Sequence, residues 1–206
     1  MMNDSVPMYL DYLYLMDSVS NYASPKAKLS YMIKSGKIIR IRRGLYVRPG
    51  NSDLSLKTLA NKIYGPSYIS FEYALSYYGL IRERSYTITS ASMEKNKSKI
   101  FRSPLGVFSY QSIHSAVFAY GVVRVEENEN PFLIATREKA LCDKLSKAGR
   151  VTSMKSLETL LFNDLRIDRD ALHSFNSSDV EFLAPLYGKK AIVLLLNYLK
   201  KEAGRA

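Results

Sequence analysis

Residues 24–48 read SPKAKLSYMIKSGKIIRIRRGLYVR. Ser24-Pro25 is a helix start, with serine at the N-cap and proline in the first turn. The helix runs to Ser35, and Gly36 supplies a left-handed stop. At 100° per residue, Leu29, Met32 and Ile33 share one side with Pro25. Ala27, Ser30, Tyr31 and Lys34 occupy the other, flanked by Lys26 and Lys28. Small, hydroxylated and basic side chains on a free helical face suit a DNA major groove, although an ordinary solvated face has a similar composition. The following segment strengthens the first reading. Ile39 and Ile41 alternate with arginines, and Leu45 and Val47 continue the alternation after Gly44. A three-residue turn over Arg42-Arg43-Gly44 pairs Ile41 with Leu45 and Ile39 with Val47, so all four share a buried face. A two-residue Arg43-Gly44 turn would mix arginines with the apolar set. Arg40, Tyr46 and Arg48 then point away from that face. Helix, glycine stop and arginine-tipped hairpin follow the order of a winged helix-turn-helix, abbreviated because only two helices fit before Gly36.

Charge supports this reading. The chain has 206 residues and a formal net charge of +11. From Ser18 to Ser52 there is no Asp or Glu, while Lys26, Lys28, Lys34, Lys37, Arg40, Arg42, Arg43 and Arg48 all fall inside that window. Such clustering is the electrostatic footprint of nucleic-acid binding. The expected DNA-contacting set is therefore Lys26, Lys28, Ser30, Tyr31, Lys34, Lys37, Arg40, Arg42, Arg43 and Arg48. Ser30, Tyr31 and Lys34 would meet base edges, and the wing and flanking lysines would meet phosphates.

On the N-terminal side, residues 8–19 are apolar on almost every side and predict a helix buried on more than one face. On the C-terminal side, Pro49-Gly50-Asn51-Ser52 has the composition of a linker. Beyond it the pattern predicts helices over 54–64 and 71–78. Strands are predicted over 86–91, 99–102, 107–113, 120–125 and 132–135. Glu94–Ser98 is a charged turn and Glu126–Asn130 an acidic loop. Thr136 caps a helix to Lys147, and helices at 156–165, 178–184 and 189–201 follow. The fold class is α+β: residues 1–50 as the DNA-binding unit, residues 51–206 as a mixed domain. In the latter, a small sheet occupies 51–147 and a helical part 148–206.

Five segments in this order resemble the AbiEi-type antitoxins of type IV toxin–antitoxin systems: SGKIIRIRRGLYV, YISFEYALSYYGLI at 68–81, TITS at 87–90, FRSPLGVFSYQSI at 101–113 and TREKALCDKL at 136–145. The family pattern usually has proline where Arg137 stands. The resemblance implies a winged helix that represses its own operon at inverted repeats, and a C-terminal domain that counters a nucleotidyltransferase-like toxin. It matches Arg40-Ile41-Arg42-Arg43-Gly44 to the family's DNA-contacting hairpin. Glu138, Lys139 and Asp143 match a recurrent motif; a surface i, i+4 pair or a helix-dipole contact is a sufficient account of them. A homodimer would suit two-fold DNA sites.

Enzymatic readings are poor. Gly106 and Gly121 are isolated, so no glycine loop grips a phosphate. His114 and His173 lack ligands at metal-binding spacing, and no metal or cofactor is expected. Cys142, the only cysteine, excludes an internal disulfide and reads as a small buried hydrophobe. Tyr73 and Tyr77 share a helix face and read as core, whereas the place of Tyr78 stays open. The longest apolar run, Ala191 to Leu196, falls far short of the ~18 residues of a membrane span. With no secretory pattern at the N-terminus, the expected compartment is the cytoplasm. Besides the DNA-binding regulator, a protein-interaction module that acts on a toxin with incidental DNA affinity is the alternative.

Overall fold

A computed structural model describes residues 8–50, 54–83, 85–94 and 97–204. Asn51-Ser52 of the linker, and Lys95-Asn96 of the charged turn, lie outside these. The fold is α+β, with two sheets.

The first sheet holds β1 (Tyr9–Leu10), β2 (Ile39–Arg42) and β3 (Leu45–Val47), all antiparallel, with β3 in the middle. Helices α1 (Tyr12–Ser18) and α2 (Pro25–Lys34) precede the hairpin. The single helix expected over 8–19 is corrected. Tyr9 and Leu10 pair with Val47 and Tyr46 instead, and the Asp11 carboxylate opens α1 by accepting from Tyr14 N at 2.7 Å. Burial of α1 is one-sided: Leu15 is buried, whereas Leu13 is 78% exposed. The helix start at Ser24-Pro25 and the left-handed stop at Gly36 (φ 72°) are as expected, although the Ser24 hydroxyl makes no cap bond.

The second sheet has six strands in the order β6-β7-β5-β4-β9-β8. These are β4 (Ser67–Ile69), β5 (Thr87–Met93), β6 (Lys99–Ser103), β7 (Gly106–Ile113), β8 (Val122–Glu127) and β9 (Asn130–Ala135). Strand β5 runs parallel to β7, and β4 parallel to β9; the other pairs are antiparallel. The acidic loop expected over 126–130 shrinks to Asn128-Glu129. Both residues take positive φ (47° and 62°), and the strands continue to Glu127 and from Asn130. A two-residue turn of that hand matches the twist of a hairpin.

Helices α3 (Leu56–Ile63), α4 (Phe71–Tyr77) and α6 (Arg137–Lys147) pack on this sheet, and α5 (Ser115–Phe118) links β7 to β8. The hydroxyls of Ser55 and Thr136 cap α3 and α6, accepting from Thr58 N and Lys139 N. The C-terminal part comprises α7 (Met154–Glu158), a π-helical turn (Thr159–Asp164), α8 (Arg169–His173), α9 (Ser177–Tyr187) and α10 (Lys190–Ala203). Helices α9 and α10 pack on α6, carrying Val180, Leu183, Ile192 and Leu195 into the core.

The hairpin lies between two apolar clusters. Ile41, Leu45 and Val47 join the large core of the six-stranded sheet. Tyr46 faces the opposite way and packs with Leu10, Leu15, Leu29 and Ile38 beneath α1 and α2. The expectation that Tyr46 points outward is therefore corrected: it is 5% exposed, because the two helices cover the second face of β3. Burying one such leucine contributes roughly 1.5–3 kcal/mol, so a handful of side chains suffices to seat the helices on the hairpin.

Candidate nucleic-acid interface

Helix α2 is held by its apolar side. Leu29 is buried, and Met32 and Ile33 pack around the small cluster. The backbone then turns through Ser35 N to Tyr31 O (2.8 Å) and Ile38 N to Met32 O (3.2 Å), which carries Ile38 under the helix. Ala27, Ser30, Tyr31 and Lys34 are left exposed, as their helical phase requires. Lys26 and Lys37 are exposed as well, and Lys28 is half-buried. Lys28 Nζ sits 4.2 Å from the centre of the Tyr22 ring and 6.0 Å from that of Tyr31. Tyr22, half exposed in the turn between α1 and α2, thus joins the candidate surface. It lies outside the helical repeat, so periodicity could not select it.

The hairpin register departs from the expected one. Ile39 does pair with Val47, and Arg40 with Tyr46, but Arg42 pairs with Leu45 and a bulge falls between Arg40 and Arg42. The turn is therefore Arg43-Gly44, with Gly44 at φ 81°. The extra residue reconciles a short turn with an inward Ile41: two residues of β2 face one of β3, and alternation resets. Side chains directly opposite in an antiparallel pair share a face. Arg40 therefore lies on the Tyr46 side, towards the helices, and Arg42 on the Leu45 side, towards the six-stranded sheet. Arg43 occupies the tip, where Arg42 Nη1 donates to its carbonyl at 2.8 Å. Arg48 is exposed just beyond β3. The arginines surround the end of the hairpin and do not line a single face.

Among the described residues, no carboxylate pairs with Lys26, Lys28, Lys34, Lys37, Arg40, Arg42, Arg43 or Arg48. The acids of the chain instead pair elsewhere, as in Lys57–Glu127, Lys144–Glu72 and Arg166–Glu83. The basic segment keeps its full charge available to an anionic partner.

The Glu138–Lys139–Asp143 block is a different kind of site. These residues are buried, so the expected surface pair is corrected. Lys139 Nζ lies 3.2 Å from Asp143 Oδ1, donates to Val117 O at 2.8 Å, and donates to the Tyr187 hydroxyl. Asp143 accepts further from Tyr187, from Tyr68 (3.0 Å) and from Ser70 (2.7 Å). Glu138 accepts from Asn176 N at 3.1 Å. Every ammonium proton of Lys139 has an acceptor, as a buried cation requires. Burial pulls the Lys139 ammonium below its ordinary value, with the Asp143 charge opposing. Burial, together with the Asp143 carboxylate, pushes the hydroxyls of Tyr68 and Tyr187 well up. The network joins β4, α4, α5, α6 and α9, and its geometry is that of a structural clamp.

The other candidates place simply. Cys142 is fully buried, and burial pushes its thiol up, away from reactivity. His114 caps α5 through Nδ1, and His173 ends α8. Among the described residues no group of three His, Cys, Asp or Glu could hold a metal ion, and no helix is long and apolar enough to cross a membrane. Tyr73 packs half-buried against the core. Tyr77 does not enter it: at 38% exposure, it donates to Glu127 Oε1 at 2.9 Å and so tethers α4 to β8.

The segment thus combines a short antiparallel hairpin, whose arginines pair with no carboxylate among the described residues, with a preceding helix whose outer face is hydroxylated and basic. Residues 21–49 match the family model described as transcriptional regulator, AbiEi antitoxin. The matched stretch is α2 with its preceding turn and the whole hairpin. A search of curated proteins gives no match.

Proposed function

We propose that this protein is a DNA-binding antitoxin that represses transcription of its own type IV toxin–antitoxin operon, with residues 1–50 acting as an abbreviated winged helix-turn-helix. The observation that carries this reading is the unpaired state of the basic segment. The arginines of the hairpin and the lysines of α2 have no carboxylate beside them among the described residues. In the proposed complex α2 enters the major groove, and Ser30, Tyr31 and Lys34 meet base edges. Arg40, Arg42 and Arg43 neutralise phosphates around the hairpin tip, with Lys26, Lys28, Lys37 and Arg48 in support. Residues 51–206 form the antitoxin part, whose proposed partner is a nucleotidyltransferase-like toxin. The match of residues 21–49 to an antitoxin regulator family supports both halves of the reading.

The test is titration of a duplex spanning the region just upstream of the gene, followed by fluorescence anisotropy across a salt series. Arg42→Ala/Arg43→Ala is expected to weaken binding to all sequences and to flatten the log–log salt slope by up to ~0.9 for each phosphate no longer neutralised. Tyr31→Ala or Lys34→Ala is expected to reduce discrimination against scrambled DNA, by roughly 1–3 kcal/mol for each base edge no longer read. Unchanged affinity and slope in the arginine double variant sinks the assignment.

A further inference from the structure

Strands β4 and β9 run parallel but meet at a single register, Ile69 opposite Ile134. Ahead of that point they part, and Asn61 of α3 takes the place of β4. Its Oδ1 accepts from Leu133 N at 2.6 Å, and its Nδ2 donates to Leu133 O at 3.4 Å. A hollow of about 460 Å³ opens there. The rings of Tyr68 and Phe118 line it, with centroids 5.1 Å apart and planes inclined at 54°. Ala119, Val122 and Leu133 complete its apolar wall, and Leu133 is 42% exposed. No Lys, Arg, His, Asp or Glu takes part in the lining. The Tyr68 hydroxyl is already donated to Asp143, and the Asn61 amide is engaged by Leu133. Ser67 differs. It lines the same hollow and is 6% exposed, yet its hydroxyl has no hydrogen-bond partner among the described residues. Buried hydroxyls are as a rule paired, so an orphan at the wall of a cavity calls for a partner from outside the chain.

We infer that this hollow is a binding site for a small, neutral, flat molecule with one hydrogen-bonding group, which the Ser67 hydroxyl recognises. Its volume falls within the roughly 300–1,000 Å³ of small-molecule sites, which combine a mainly apolar lining with a few placed polar groups. Two rings inclined to each other offer a flat ligand both a face and an edge to pack on. With no charge in the lining, an ionised ligand would lose its hydration without compensation, so the ligand is uncharged. A second copy of the chain suits the hollow less well: it would meet the exposed rim at Leu133, whereas the unpaired hydroxyl is buried. No lining residue belongs to residues 1–50, so the site stands apart from the DNA-binding reading. It adjoins the clamp instead. Asp143 holds the Tyr68 hydroxyl, and Val117, the neighbour of Phe118, accepts from Lys139. A ligand bound only by the folded chain therefore stabilises the region around the clamp.

The experiment titrates the full chain with indole, and with indene, which has the same shape but no N–H. Binding is read from the methyl resonances of Val122 and Leu133. Indole is expected to shift both sets saturably and to bind about tenfold tighter than indene, the effect of one hydrogen bond. Ser67→Ala is expected to erase that preference and leave indene binding as it was. Ala119→Trp, a bulky side chain at an exposed position of the wall, is expected to abolish binding of both. The serine variant removes an unpaired group and the other alters an exposed residue, and equal melting temperatures by circular dichroism establish that each is folded. Absence of a saturable shift at Val122 and Leu133, up to the solubility of indole, refutes the site. Equal affinities for indole and indene in the unaltered protein refute recognition by Ser67. A concentration-dependent dimer in sedimentation that Leu133→Glu dissolves would make a second copy the occupant and also overturn the proposal.

Discussion

At the scale of single residues, Asp143 has the most partners at stake. Its carboxylate receives Lys139, Tyr187, Tyr68 and Ser70 inside a region closed to solvent. Removing one side of a buried ion pair leaves the other charge uncompensated, at a cost of roughly 3–5 kcal/mol. Asp143→Asn is expected to lose about that much stability, read as a lower urea midpoint with little change in slope, while DNA affinity of the remaining folded fraction stays the same. A DNA-binding defect without loss of stability would show that the block works as more than a clamp. The i, i+4 spacing of Lys139 and Asp143 was legible in the sequence. Their burial was not, because the acceptors and donors that make it tolerable come from β4, α4, α5 and α9. The same limit applies at Arg42: alternation set the inward Ile39, Leu45 and Val47, but a single inserted residue in β2 moved the arginine to the other face.

Among elements, the long periodic ones were legible and the short ones were not. Helices α2, α3, α6 and α10 carry boundary signals or an apolar stripe, and each lies close to its expected bounds. Strand β4 has three residues and α5 four, too few to display a period. Residues 8–19 lacked a polar side, and tertiary pairing with β3 took Tyr9 and Leu10 into a strand. The junction of α5 and β8 gives a sharp test of packing. Gly121 has φ 64°, and a Cβ placed there would lie 2.8 Å from Lys139 Cβ. Gly121→Ala is expected to destabilise by roughly 2–4 kcal/mol, the sum of left-handed backbone strain and overpacking. Gly188→Ala, at φ 58° with nothing within 4 Å of the added carbon, carries only the strain. The difference between their melting temperatures measures the clash, and equal values would mean that Lys139 yields freely.

For the whole molecule, the tyrosines set the alkaline limit. Burial raises the hydroxyls of Tyr68, Tyr110 and Tyr187, and that of Tyr77 to about 12. A group with a raised folded value contributes stability in full below its unfolded value, about 10 for tyrosine, and loses it as pH climbs from there through the folded value. Lys139 works in the opposite sense, since its folded value is lowered, but the raised tyrosines outnumber it. The melting temperature is therefore expected to fall steeply above about pH 10. Tyrosinate absorbance from the buried phenols should appear together with unfolding and not before it. Smooth ionisation of all tyrosines while the fold persists would contradict the assigned burial.

The placement of β3 has a mechanical consequence. With Val47 gripped by one oily cluster and Tyr46 by the other, the hairpin acts as a keyed joint and not as a swinging arm. Anything that docks on the C-terminal helices cannot simply tilt the hairpin and its two helices; it must first break that joint. Binding there and binding to nucleic acid are then either independent events or coupled through the loosening of one strand.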